Sequence, residues 1–324
     1  MKKKALALLL ASAIAVGMTA CSSSDSADKS SYKVAIVQQM DHASLDEIRV
    51  AIEAELDKKA TELGMDIKYE EFKGQNDATI LNQIGTQVVS DGYDCVIPIA
   101  TLAAQCMQGT TEDTDIPVVF AAISDPVSAG LVDSLEKPGS NVTGTSDYLD
   151  ASAILDMMLA QNPDVKTVGL LYNKSEDSSK VPIEEAKKYL DEKKIAYVEK
   201  TGTTTDEISM AVDSMLDQVD AVFTPTDNTV ASAELTIAEK LKEAKIPHYV
   251  GADSFVRNGA FATCGVNYTD LGSKTADMGS CRYFRSDRSD FPDMQLRYAH
   301  AVHTRPAYSL PLRALPLLPR HHQA

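Results

Sequence analysis

At four places in the chain, small polar or acidic side chains follow directly on an apolar run. Thr101 comes after Cys95–Ile99, and Ser124 with Asp125 after 117–123. Thr226-Asp227-Asn228 comes after Ala221–Thr224, and Asp253-Ser254 after His248–Val250. Where a helix starts after such a run, its first N–H groups are unpaired and its dipole is positive, which suits a carboxylate. Asp227 and Asp253 offer the opposite charge, which suits an ammonium. Each of these residues alone is also what an ordinary cap or turn looks like. It is their joint placement at successive strand ends that predicts one cleft collecting all four.

The runs alternate with helical patterns. Strands are predicted over 34–37, 67–72, 94–99 and 117–123, with helices over 45–63, 77–89 and from about residue 101. The alternation then repeats. Strands over 165–172, 196–199, 221–224 and 248–250 interleave with helices over 182–192, 204–216 and 228–244. Strand–helix alternation requires a parallel sheet with right-handed crossovers. The prediction is therefore an α/β protein of two similar Rossmann-like lobes with a ligand cleft between them. The first lobe is expected over 32–148, and a hinge with the second lobe over 149–279. Ligands of open α/β sheets sit at the carboxyl ends of the strands. By the same placement Gln38 and His42, after the first strand, and Asn173, Ser175 and Glu176, after Tyr172, are candidates to line the cleft.

Motifs for chemistry are missing: there is no GxSxG, P-loop or HExxH, and no GxGxxG follows the first strand. Neither an enzyme, a cofactor nor a metal is expected. The net charge of −16 argues against nucleic acid and anionic lipid as partners. Cys95, Cys106, Cys264 and Cys281 show neither CxxC pairing nor metal spacing.

The two ends differ from the middle. Lys2-Lys3-Lys4 followed by a short apolar stretch reads as a signal peptide over 1–20. The small residues before Cys21 resemble a bacterial lipobox, which implies lipid on that cysteine. Residues 21–31 are polar and of low complexity, a flexible tether. Residues 280–324 hold seven Arg and no Lys, whereas residues 1–279 hold 22 Lys and two Arg. Five prolines also fall in this tail. It is expected to be disordered or the product of a shifted reading frame, and not to complete the first lobe.

Ser124-Asp125-Pro126-Val127, Gly130-Leu131-Val132 and Asn141-Val142-Thr143-Gly144 stand in that order in the chain. With Gln38 and His42, Ile99-Ala100-Thr101, Thr226-Asp227-Asn228 and Gly265-Val266-Asn267-Tyr268, they resemble the ABC-transporter solute-binding proteins of the tryptophan/tyrosine-binding type. That resemblance implies a type I periplasmic-binding-protein fold, no catalysis, and delivery of a small molecule to a permease and an ATPase outside the cytoplasmic membrane. It favours an aromatic amino acid as ligand. Thr101 and Ser124 would then hold the carboxylate, and Asp253, or else Asp227, the ammonium. Tyr148 would face the aromatic side chain. A receptor for a sugar or nucleoside, an anchored sensor, and an enzyme on the same scaffold are the alternatives.

Overall fold

The structure, a computed structural model, describes residues 31–283, 297–298 and 303–304. The predicted signal peptide, the tether up to residue 30 and most of the tail lie outside the described residues.

The first lobe opens with β1 (Ser31–Gln38), whose apolar half is fully buried. In α1 (Ala43–Leu63) the residues Leu45, Ile48, Ile52 and Leu56 share one buried stripe, the helical spacing that predicted it. Gly64, at φ 65°, ends the helix in the left-handed conformation. β2 (Asp66–Lys73) follows. The Asp77 carboxylate then accepts from the N–H groups of Thr79 and Ile80 and starts α2 (Ala78–Ser90). β3 (Cys95–Ile99), α3 (Thr101–Thr111), β4 (Val118–Ile123) and β5 (Val142–Ser146) complete the first pass.

The second lobe comprises α4 (Ala151–Gln161), β6 (Thr167–Tyr172), α5 (Asp177–Lys193), β7 (Ala196–Thr201), α6 (Thr205–Asp213), β8 (Ala221–Thr224), α7 (Asn228–Glu243), β9 (His248–Val250), α8 (Asp253–Arg257) and β10 (Ala262–Thr263). Helix α5 starts five residues before the predicted position. Pro182, the predicted first residue, lies inside it. The strand orders are β2-β1-β3-β4-β5 and β7-β6-β8-β9-β10, so the two sheets are built alike. Their neighbouring strands run parallel. In each sheet the strand order reverses between two central strands, β1 and β3 in one, β6 and β8 in the other. A crevice opens at such a switch point.

The lobe boundary at 149–279 needs correction. Helix α9 (Tyr268–Tyr283) packs along α1 and against β4 and β5, in the first lobe. Gly272 permits the contact, because a Cβ there would lie 2.6 Å from the Ile48 carbonyl oxygen. The chain thus passes to the second lobe after β5 and returns before α9. The return is tight. Val266 N–H donates to the Gly251 carbonyl, and a Cβ on Gly265 would sit 1.8 Å from that oxygen. The tail contributes two short strands. β11 (Arg297–Tyr298) lies parallel to β5, and β12 (His303–Thr304) antiparallel to β10. These four residues add an edge strand to each sheet, where the tail was expected not to complete the first lobe.

Candidate functional site

The two switch points face each other across a cavity of about 230 Å³. The first lobe lines it with Gln39 after β1, Asn76 before α2, and Thr101, Leu102 and Gln105 on α3. The second lines it with Asn173, Ser175 and Glu176 after β6, Asp177 and Ser178 opening α5, and Asn228 opening α7. Except for Leu102 these side chains are polar. The first-lobe wall is prearranged. Gln39 Oε1 accepts from Leu102 N–H at 3.0 Å, and its Nε2 donates to Asn76 Oδ1 at 2.9 Å. Ala100 and Ala122, at the ends of β3 and β4, sit at φ 76° and 59°. Non-glycine residues pay for that conformation, and such strain gathers at functional sites.

The Glu176 carboxylate binds the start of α7. Its Oε1 accepts from Thr229 N–H at 2.8 Å and Thr229 Oγ1 at 2.6 Å. Its Oε2 accepts from Asn228 N–H and Asn228 Nδ2, both at 2.9 Å. Because Asn228 Nδ2 is committed to Glu176, its Oδ1 faces His42 Nε2 at 3.0 Å, and the imidazole is the donor. Burial holds the His42 pKa below its ordinary value, so this is a neutral ring. Here the first lobe touches the second. Ser44 with Ser254 at 2.7 Å, Ser124 with Thr226 at 3.2 Å and Gln105 with Asp177 at 3.2 Å make further bonds across the cleft.

Five of the predicted site residues therefore meet in one cavity: Thr101, Asn173, Ser175, Glu176 and Asn228. Four others are buried but do not line it. Gln38 donates to the Met40 carbonyl at 2.8 Å and to Asp46 at 2.9 Å, His42 reaches Asn228, and Ser124 and Thr226 bond each other. Four depart from their expected places. Asp227 caps α7 and accepts from Val230 N–H, Asn173 N–H and Ser179 Oγ, so it is used up inside the second lobe. Burial, with Glu176 nearby, pushes its pKa up to about 7. Asp253 lies in the first turn of α8 and pairs with Arg257 one turn on, at 2.8 Å. Asp125 closes a turn by accepting from Ser128 N–H and Oγ. Tyr148 is 39% exposed and is not among the residues that line the cavity. Gln39, Asn76, Gln105 and Asp177 were missed. Gln39 stands beside the predicted Gln38, and a strand's alternation sends neighbours to opposite faces.

The sequence matches the ABC transporter substrate binding protein family over residues 33–280. The chain is a member of that family. This substrate-binding protein is 34% identical over 287 residues to the Tyrosine-binding protein of Clostridioides difficile (strain R20291), covering 85% of this chain and 83% of that one. Among solved structures it resembles an ABC domain in complex with L-Trp from Streptococcus pneumonia, at 34% identity and a TM-score of 0.75, over 83% of this chain and 89% of that one. It also resembles a ligand-free, open substrate binding protein with adhesive properties from Clostridium difficile, at 34% identity and a TM-score of 0.64, over 85% and 92% of the two chains. The fold of this substrate-binding protein is thus the two-lobed type I periplasmic binding fold that the resemblance implied.

Proposed function

We propose that the protein binds one aromatic amino acid between its lobes and passes it to an ABC importer on the outer side of the membrane. The observation that carries this is the polar cavity of about 230 Å³ at the facing switch points, with walls from both lobes. It is smaller than the roughly 300–1,000 Å³ of pockets for drug-sized ligands. It offers two carboxylates, those of Glu176 and Asp177, for an ammonium, and the Thr101 hydroxyl at the start of α3 for a carboxylate. Glu176 takes the role that Asp253 and Asp227 were expected to fill. Those two are not among the residues that line the cavity. The aromatic class is supported by the relatives' tyrosine and L-Trp. Binding closes the lobes about the two chain crossings and involves no chemistry.

Calorimetry against L-tryptophan, L-tyrosine, L-leucine, glucose and adenosine tests this reading. An aromatic amino acid should bind tightest. Ligand at a hundredfold excess over its Kd should also stabilise the fold by about 2.7 kcal/mol. Binding of glucose or adenosine in preference would overturn the proposal.

Attachment to the membrane through lipid on Cys21, after removal of residues 1–20, belongs to the same reading. Among the described residues no helix is long and apolar enough to cross a membrane. Intact-mass measurement of the membrane-bound protein should find acyl chains on Cys21. A mature protein without acyl mass refutes the anchor.

A further inference from the structure

Asp147 is the first residue after β5, where the chain leaves the first lobe. Tyr268 opens α9, where it has just returned. Both are buried. The Tyr268 hydroxyl donates to Asp147 Oδ2 at 3.2 Å, and Ser124 Oγ donates to Asp147 Oδ1 at 2.9 Å. A serine hydroxyl has one proton, and here the carboxylate takes it. Ser124 Oγ also lies 3.2 Å from Thr226 Oγ1 across the cleft; with the Ser124 proton engaged by Asp147, Thr226 donates in that pair, and its hydroxyl also stands near the carboxylate. The hydroxyls form one directed chain, from Thr226 in the second lobe to Ser124 in the first and on to the carboxylate. An acceptor at both oxygens is what keeps the direction fixed. A side chain that donates at one of them would turn a hydroxyl around.

We propose that Asp147 is a positioning residue for ligand binding. It fastens the outgoing and returning crossings to each other and, through Ser124, sets the direction of the Thr226 hydroxyl across the cleft. It does this without lining the cavity. Closure on a ligand then draws on a bond that the hinge itself orients. The inference rests on the reading that the ligand binds between the lobes.

The experiment is a double-mutant cycle in the mature protein, with Asp147→Asn, Thr226→Val and both together. L-tryptophan and L-tyrosine affinities are read by calorimetry, and backbone hydrogen exchange is read without ligand. Each single variant should bind at least tenfold more weakly than the parent, and the double variant no more weakly than Asp147→Asn alone. Exchange at residues 147–150 and 265–267 should quicken at least tenfold in Asp147→Asn, while the centre of β6 and β8 stays protected. Affinity losses that multiply, or exchange that does not change at the two crossings, would overturn the proposal. A purely structural role for Asp147 gives the multiplying result. If Asp147→Asn does not fold, Ser124→Ala breaks the same run of hydroxyls and takes its place in the affinity cycle, and Tyr268→Phe, which unfastens the two crossings, takes its place in the exchange measurement. A parent protein that binds neither amino acid would refute the functional reading. The exchange result would then decide the hinge role by itself.

Discussion

Glu176→Gln is expected to weaken binding of L-tryptophan or L-tyrosine by about 2–5 kcal/mol, the usual cost of stripping one partner from a buried hydrogen-bonded charge pair. That is a factor of roughly thirty or more in Kd. The argument is geometric. The carboxylate is held by four donors from Asn228 and Thr229, so it reaches the cavity wall already oriented. Glutamine keeps the shape but removes the charge, and its amide nitrogen would face a donor of α7. Stability should fall less than affinity, because the start of α7 keeps its Asp227 cap. Calorimetry of the variant beside the parent checks this. Unchanged affinity would move the ammonium to Asp177, the other carboxylate of the cavity.

The stability of the protein should fall as pH rises from about 4 to 7, against the habit of proteins whose carboxylates are paired with cations. Burial raises the carboxyl of Asp147 to about 6. Burial and Glu176 raise that of Asp227 to about 7 from an ordinary 3.8. Between those values the folded chain holds protons that the unfolded chain releases. The contribution is therefore fully present below the ordinary value and is lost as pH passes through 6 and 7. Carboxyls displaced that far carry about 3–4 kcal/mol of pH-dependent stability each. His42 pulls the other way, because burial lowers its pKa and the unfolded ring takes up a proton that the folded ring refuses. Comparing the parent with Asp227→Asn cancels the His42 contribution. The variant should melt lower at pH 5 and show a flatter profile from pH 5 to 7.5. A parent that gains stability across this range by as much as the variant would contradict the assignment. Glu176→Gln should also flatten the profile in part, since it removes the charge that helps to raise Asp227.

The strand ends were legible because apolar runs bounded by Thr, Asn and Ser mark them directly. Thr101, Asn173 and Asn228 were found that way, and all three line the cavity. The repeat of strand–helix alternation in two similar lobes was legible from the apolar runs alone, whereas the order of strands within each sheet was not. What stayed hidden depends on partners far away in sequence. Asp147 is a buried carboxylate whose partner Tyr268 stands 121 residues on. Gln39 and Asn76 form one wall although 37 residues separate them. Asp253 is the opposite case. Its Arg257 partner is four residues on, and that spacing on a helix already marks an ion pair. The signal was present but was outweighed by the strand-end position. β5 went unread because Thr and Gly interrupt its apolar character, and its burial is supplied by neighbours on both sides.

The return of α9 to the first lobe means that this lobe is not a continuous piece of chain, while α4 through β10 are. A polypeptide that emerges from its amino end, whether from a ribosome or through an export channel, presents β1 to β5 long before the helix that covers α1. Until residues 268–283 follow, the apolar surface against which α9 packs, including Ile48 and Ala51, stands open to water. The strands β6 to β10 can assemble first, with only the two-residue edge β12 left to add, while the first lobe must wait. A chain cut short before α9 would leave the earlier-made lobe as the incomplete one, with its exposed stripe as the place where aggregation or proteolysis begins.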